Sequence, residues 1–257
     1  MSEILPTGQR PLRVRKVHSL RTLIWLVKGC RDFARAPLVG LLHGLLMAGF
    51  GALMLWLAWD RFWVLAGAVS GFLMVAPILA TGLYAVSRAL LRGEAANLSA
   101  VWQVWTSLDR RLVRFGFLLM ALGSGWVITS AALITLGVQP AVTTPTDFLT
   151  RVVLAPQLGF FEIWLLVGGL MAAPVFASSV IAIPLLVDRH VSVRVAVLTS
   201  WRAVMANPIC LSLWALIVMS LTLIGLGTWM IGLILVMPVL GHATWHAYRD
   251  LVVQEAL

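Results

Sequence analysis

Long apolar runs alternate with short basic segments along most of this chain. Six of the runs are long enough to cross a bilayer, because a membrane-spanning helix needs about 20 mostly apolar residues. They lie at 38–59, 63–88, 113–137, 159–187, 208–225 and 227–248. The last two share one apolar stretch, which we divide at "IGLGTW", where Gly225 and Gly227 favour a tight turn. The pattern predicts an all-α polytopic membrane protein with six transmembrane helices.

The composition agrees with lipid as the main solvent. The chain is 61% hydrophobic and only 11% charged, whereas a soluble domain carries about 25% charged residues. A soluble protein of this size has too little interior to bury so much apolar surface. The two cysteines, Cys30 and Cys210, are too few for a disulfide framework.

Basic residues predict the orientation of the helices. Of the 19 Lys and Arg residues, all but Arg61 and Arg151 lie before the first run, between runs two and three, between runs four and five, or after the last run. Cytoplasmic flanks carry such an excess, so we expect both termini in the cytoplasm and no cleaved signal peptide. This basic face can bind anionic lipid headgroups. The net charge of +9 does not indicate a nucleic-acid partner here.

The even-numbered runs resemble one another. "GFLMVAPILATGLYAVSR", "GLMAAPVFASSVIAIPLL" and "GLILVMPVLGHATWHAYR" each carry a proline in the same register, namely Pro77, Pro174 and Pro238. Proline inside a helix removes one backbone hydrogen bond and usually kinks it. We expect the three prolines to be helix-kink positions that shape the bundle, with a gating hinge as the alternative.

The odd-numbered runs are each preceded by an amphipathic stretch. "VKGCRDFARAP" (Val27–Pro37) aligns with "LTSWRAVMANP" (Leu198–Pro208), and "WTSLDRRLVRF" (Trp105–Phe115) is a looser third copy. We interpret all three as short helices on the cytoplasmic surface. The prediction is a basic tail over 1–17 and one membrane domain over 18–253. Three hairpin repeats divide that domain at about 18–92, 93–189 and 190–253.

The histidines are the candidate ligand residues. His242 and His246 are four residues apart, so they share one helix face near the end of the last run. His43 starts the first run at a similar expected depth, which allows it to face His242. Imidazole nitrogens at such a place can bind haem iron, copper or zinc, or hydrogen-bond a quinone. We therefore take His242, His246 and His43 as candidate cofactor ligands, and His242 with His246 as the candidate metal pair.

A structural role is the competing interpretation of these histidines. Trp245 and Tyr248 flank His246, and that composition is typical of an aromatic belt at the membrane interface. A buried histidine can also hydrogen-bond a backbone carbonyl of a neighbouring helix. The spacing lacks a third carboxylate or cysteine ligand, so HxxxH alone is a weak metal signal.

Three functions stay open on the residues alone. The first is a non-enzymatic accessory, assembly or scaffold factor of a membrane complex, since the sequence shows no catalytic arrangement and has surface helices that can dock another membrane protein. The second is a haem- or metal-binding membrane protein that uses His242 and His246. The third is a small-molecule or lipid transporter built on proline-hinged repeats, although no run carries a central charge.

Two segments resemble a known family. "IPLLVDRHVSVRVAVLTSWRAVMANP" and "MPVLGHATWHAYRDLV" are similar to a bacterial family of multi-pass inner-membrane proteins classed as a domain of unknown function. The resemblance covers about residues 18–253, and it implies a six-span protein of the bacterial inner membrane with no established activity. Some members are labelled cytochrome c oxidase subunit I. This chain has too few spans and histidines for that label.

Overall fold

The computed structural model describes residues 11–58, 61, 63–67, 79–107, 109–155 and 159–253. Over these residues the chain is helical, with one isolated β-bridge between Val14 and Val252, so the all-α class is confirmed. The helices are α1 (Arg21–Arg35), α2 (Pro37–Ala58), α3 (Thr81–Arg92), α4 (Leu98–Thr106), α5 (Arg110–Gly137), α6 (Pro145–Phe148, followed by a π-helical turn at Leu149–Val153), α7 (Phe160–Ser179), α8 (Ala182–Asp188), α9 (Val193–Ala206), α10 (Pro208–Gly227) and α11 (Leu233–Leu251).

Four helical stretches of the described residues are long and apolar enough to cross a membrane. They are α2, α5, α7 together with α8 (Phe160–Asp188), and α10. These stretches correspond to the first, third, fourth and fifth predicted spans. The middle of the predicted second span, residues 68–78, lies outside the described residues. Helix α11 covers most of the predicted sixth span and is not among these four stretches. The count of six spans therefore stays a prediction.

Two helix–proline–helix junctions share one backbone geometry. Ala36 ends α1 with φ −131° and ψ 56°, and Asn207 ends α9 with φ −135° and ψ 52°. In both cases a proline, Pro37 or Pro208, is the first residue of the next helix. Proline suits that position because it needs no N–H donor there, and it keeps the preceding residue out of the helical region. The aligned segments ending at Pro37 and Pro208 thus have the same local fold.

The third proposed copy is built differently. A helix break near Ser107 and Asp109 interrupts the segment Trp105–Phe115, so the prediction of one short helix there is wrong. Asp109 begins a new helix at this point because its side chain accepts a hydrogen bond from the Arg111 N–H. A short helix, α4, still precedes the long α5.

The predicted proline kinks have different outcomes. Pro174 and Pro238 lie within α7 and α11, which continue through them, and Pro77 lies outside the described residues. The chain does break at Val180 and Ile181. The reason is Pro184, whose ring excludes a helical carbonyl four residues earlier. The Ser200 hydroxyl accepts a hydrogen bond from the freed Ile181 N–H at 3.2 Å.

Helix α11 lies at the centre of the bundle and packs against α1, α2, α3, α8 and α10. Glycines bring α1 and α2 close to it. A Cβ at Gly29 would lie 2.6 Å from the Val239 carbonyl oxygen, and a Cβ at Gly44 would overlap the Ile234 carbonyl. Such contacts are typical of helices that pack in membranes through small residues.

The α10–α11 connection differs in detail from the predicted turn. The turn occupies residues 228–232, just after Gly227. Its left-handed residues are Trp229 (φ 52°) and Met230 (φ 68°) rather than glycines. Gly225 serves packing instead, because a Cβ there would lie 2.6 Å from Leu233 Cδ2.

The basic segments meet at one end of the bundle. Arg15 N–H donates to Leu251 O at 2.7 Å, and Val253 N–H donates to Arg13 O at 3.0 Å. Asn207 holds the same N-terminal segment through both side-chain atoms, since Oδ1 accepts from Val17 N–H at 2.8 Å and Nδ2 donates to Arg15 O at 2.9 Å. Residues 11–17 therefore pack against α9 and α11 and against the residues that directly follow these two helices.

Candidate functional site

His242 and His246 lie one turn apart on the buried face of α11. Their exposed fractions are 0% and 6%, which follows from the i, i+4 spacing on the central helix. Trp245 and Tyr248 are also buried, and the Tyr248 hydroxyl donates to Asp188 Oδ2 at 2.6 Å. The expectation that these two aromatic residues form an interfacial belt is therefore wrong, because they pack inside the protein.

Asp32 of α1 is the partner of His246. The His246 Nε2 atom lies 2.8 Å from Asp32 Oδ2, and both side chains are 6% exposed. Asp32 lies seven residues after Trp25 on the face of α1 that packs on α11. The helix predicted to lie on the surface thus directs a carboxylate into the bundle.

Ser87 of α3 extends this contact to His242. Its hydroxyl donates to Asp32 Oδ2 at 2.7 Å and lies 2.8 Å from His242 Nδ1. A hydroxyl has one hydrogen, and the ionised carboxylate takes it, so His242 Nδ1–H donates to Ser87 Oγ. His242 thus donates to Ser87, Ser87 donates to Asp32, and His246 donates to the same carboxylate oxygen. We call Asp32, Ser87, His242 and His246 the histidine network.

His43 of α2 lies beside this network. Its Nδ1 atom is 2.8 Å from Val39 O, a carbonyl that can only accept, so Nδ1 carries the proton. The centroid of its ring lies 5.2 Å from the centroid of the Trp105 ring. A Cβ at Gly82 of α3 would be 2.6 Å from His43 Nε2. The ring fits because position 82 is glycine.

His43 and His242 are not level along their helices, although the sequence predicts that they are. Gly40 packs against Pro238 and Gly44 against Ile234, so α2 and α11 run antiparallel and residue 43 lies near the level of residue 235. Side chains on a helix lean toward its own N-terminus. On antiparallel helices that tilt brings the two rings toward each other.

Two ring nitrogens at this site have no hydrogen-bond partner. They are His43 Nε2 and His242 Nε2, both fully buried, and the Trp105 Nε1 donor next to His43 is also unpaired. Because Nδ1 carries the proton in each histidine, each neutral ring presents an Nε2 lone pair. Buried polar atoms without a partner are rare in native proteins, so this cluster is the strongest candidate site in the described residues.

Asp32 is held as a carboxylate. Burial opposes its ionisation, but hydrogen bonds from His246 and Ser87 outweigh burial and keep the pKa of Asp32 below its ordinary value. Asp32 therefore supplies a negative charge to the network.

A second group of polar contacts closes the basic end of the bundle. Arg88 Nη1 donates to Val187 O at 2.7 Å, and Arg111 Nη1 donates to Arg189 O and Val191 O, each at 2.9 Å. These arginines cap the carboxyl end of α8. Hydrogen bonds from the Arg111 side chain lower the pKa of Asp109. These contacts hold α3, the start of α5 and the end of α8 together.

Asp32 and Ser87 are the functional candidates that the sequence interpretation missed. Asp32 had a signal: Trp25, Gly29 and Asp32 follow one face of an amphipathic helix, and a carboxylate on the apolar face needs a partner. Ser87 had none, because a small residue on a transmembrane helix is ordinary. In the described residues no group of three or more His, Cys, Asp and Glu side chains is placed to hold a metal ion.

Comparison with known proteins adds one match. Residues 64–188 match the family described as "Predicted integral membrane protein (DUF2189)". The resemblance to a membrane family of unknown function is thus confirmed. No curated protein and no solved structure matches the chain.

The DUF2189 match says little about the histidine network. It includes Ser87 but not Asp32, His43, His242 or His246, which lie before or after the matched segment. The matched description is that of an integral membrane protein, and it carries no information about the histidines.

Proposed function

We propose that this integral membrane protein is a non-enzymatic accessory, assembly or scaffold factor of a membrane complex. One observation carries the proposal: every carboxylate of the described residues has a hydrogen-bond or ion-pair partner within the protein. Asp109 and Glu162 cap helices, Asp188 and Asp250 join helix ends, and Asp32 holds the histidine network. The remaining two, Asp147 and Glu94, pair with Arg151 and Arg92. A carboxylate that acts as a general acid or base must be left available for substrate.

The proposed placement is the bacterial inner membrane, with six spans, three hairpin repeats and both termini in the cytoplasm. Two findings support this placement. The α1–α2 and α9–α10 junctions share one geometry, as a repeat requires. The basic N-terminal segment, α3, the residues after α8 and the end of α11 contact one another, as segments on one side of a membrane must.

The outward faces of the short helices support contact with lipid and with a partner. In α1, Leu23 and Val27 are exposed beside Lys28 and Arg31, which suits an interfacial helix against anionic headgroups. In α4 and α9, Trp102 is 66% exposed and Met205 73% exposed. Large apolar side chains outside the spans favour a second membrane protein as the partner.

A cross-linking experiment in membranes tests this proposal. A photoreactive amino acid would replace Trp102 or Met205, with Leu154, an exposed residue on the opposite connection, as the control position. We expect one discrete protein adduct from position 102 or 205 and none from 154. Native mass spectrometry should show the same partner in stoichiometric amount, and the Met205→Glu variant should lose it. Lipid adducts alone, together with a monomer in the native spectrum, would contradict the proposal.

The transporter alternative stays a prediction, and it has no specific contact of the described residues in its favour.

A further inference from the structure

An open cavity lies at the basic end of the bundle, away from the histidine network. It is bounded by the start of α5 and the connection from α8 to α9, and its volume is about 500 Å³. Ligand-binding pockets have volumes of this order. The residues that line it include basic and hydroxyl side chains and no acidic one: Arg111, Arg114, His190, Val191, Ser192 and Val193.

Arg111 builds the wall of this cavity and is not free to bind a ligand. Its Nη1 atom donates to Arg189 O and Val191 O. Its Nε and Nη2 atoms donate to the Asp109 carboxylate, and Nη2 also lies 3.4 Å from Leu186 O. A guanidinium has five N–H groups, and these contacts engage all of them. The α8–α9 connection is thereby fixed against the start of α5, and Asp109 balances the charge of Arg111.

Arg114 adds a positive charge that the protein does not balance. Within the described part of the chain, its guanidinium has no hydrogen bond and no ion pair. His190 is exposed beside it, and Ser192 Oγ accepts from the Val195 N–H, which leaves the hydroxyl hydrogen available. The cavity therefore offers several donors and one unpaired cation. Arginine suits phosphate, because its planar fork of N–H groups matches two phosphate oxygens.

The position of Arg114 along α5 matches the level of lipid phosphates. Residues 115–137 contain no charged side chain. A helix of that length measures about 34 Å, which is close to the thickness of the hydrocarbon core of a bilayer. Arg114 directly precedes this segment, so its guanidinium lies where the hydrocarbon ends and the headgroups begin.

The adjoining face of α5 is apolar and open. Phe117 and Leu118 follow Arg114 by three and four residues, so they lie on the same face of the helix. Both side chains are exposed, and α5 is one of the stretches that are apolar enough to cross a membrane. The basic cavity thus continues into a surface that acyl chains can cover. This continuity favours a lipid over a soluble phosphate ester.

We propose that Arg114, His190 and Ser192 bind the phosphate of one anionic phospholipid. The headgroup carries no ammonium group, because no carboxylate lines the cavity to receive one. Such a site has a fixed stoichiometry, unlike the diffuse attraction of a basic surface for anionic lipid. The inference goes beyond the accessory role proposed above, and either can fail without the other.

Native mass spectrometry of the full chain tests the site. The protein would be released from nanodiscs of phosphatidylcholine that contain a minor fraction of phosphatidylglycerol. We expect each chain to retain one phosphatidylglycerol molecule. Arg114→Gln should weaken this binding by about 10- to 100-fold, because charged hydrogen bonds to the phosphate are lost. Arg31→Gln removes the same charge from an exposed position on α1 and should retain the lipid.

Thermal unfolding in detergent shows that the variants are folded and separates lipid from free phosphate. Without lipid, Arg114→Gln should melt at the wild-type temperature, because the side chain is exposed and makes no bond within the described residues. Phosphatidylglycerol should raise the melting temperature of the wild type and of Arg31→Gln but not of Arg114→Gln. Equal retention of lipid by the two variants, equal retention of phosphatidylcholine, or displacement of the lipid by inorganic phosphate would overturn the proposal.

Discussion

His246 Nε2 lies 2.8 Å from Asp32 Oδ2, although the two residues are 214 positions apart in the sequence. This contact joins the first described helix to the last. It also explains why a short amphipathic helix carries a carboxylate on its apolar face. Replacement of Asp32 should therefore act on the whole bundle.

The first prediction concerns Asp32. Asp32→Ala leaves the His246 N–H and the Ser87 hydroxyl without their acceptor, so we expect a loss of about 2–3 kcal/mol in the free energy of unfolding. Asp32→Asn keeps one acceptor oxygen and should cost less. Thermal or denaturant unfolding in detergent measures both. Glu94→Ala, at an exposed connection, is the control, and equal stability of the Asp32 and Glu94 variants would refute the structural role of Asp32.

A second prediction uses two glycines of α2. A Cβ at Gly44 would overlap the Ile234 carbonyl, whereas a Cβ at Gly49 meets nothing within 4 Å. Gly44→Ala should push α2 away from α11 and cost about 1–3 kcal/mol. Gly49→Ala should be neutral or stabilise by up to about 1 kcal/mol. Unfolding curves of the two variants compare them directly, and a stable Gly44→Ala protein would exclude the close α2–α11 contact.

The third prediction is a pH dependence at Asp109. Hydrogen bonds from Arg111 lower the pKa of Asp109 in the folded protein. The unfolded chain therefore takes up this proton first as the pH falls, and the stabilisation is lost as the pH passes through the lowered folded pKa. Asp109→Asn keeps the helix cap, because asparagine caps as well as aspartate, and removes the charge.

We expect the wild-type protein to melt at a higher temperature than Asp109→Asn at neutral pH, and the difference should close below pH ~4. Melting temperature against pH for the two proteins measures it. A difference that is constant from neutral to acidic pH would show that the Asp109–Arg111 pair contributes through its shape and not its charge.

The fourth prediction concerns orientation. Cys30 is exposed on α1, whereas Cys210 is buried. With both termini in the cytoplasm, a membrane-impermeant maleimide should label Cys30 in inverted vesicles but not in intact spheroplasts. A Thr143→Cys variant, in the connection between α5 and α7, should show the reverse. Labelling of Cys30 from outside would place the basic end on the other side.

Hydrophobic pattern predicted the helices well because lipid imposes length and composition on each span. The stretches around α2, α5, α7 and α10 are strongly apolar for that reason. Helix α11 does not follow the same rule, because its neighbours are protein helices and its polar residues His242 and His246 are buried among them. A central helix resembles a soluble one more than a lipid-facing one.

The site was predictable only in part. The spacing of His242 and His246 indicated a shared face, and both residues are buried on it. Their partners come from α1 and α3, and a pattern within one helix carries no information about which face of another helix it meets. The Pro184 break shows the same limit, because Pro174 and Pro184 look alike in the sequence while only the latter lies four residues after a break.

The packing of α1 on α11 has a consequence for biosynthesis. Helix α1 is synthesised before α11, yet two of its polar groups find their partners on α11: the Trp25 indole N–H donates to Asp250, and Asp32 accepts from His246. A nascent chain that ends before α11 therefore lacks the His246 partner of the Asp32 carboxylate and the Asp250 acceptor of the Trp25 indole. Synthesis of α11 supplies both partners at once, so a chain interrupted before Leu233 is chemically distinguishable from one that contains α11 by any protease or chaperone that recognises those groups.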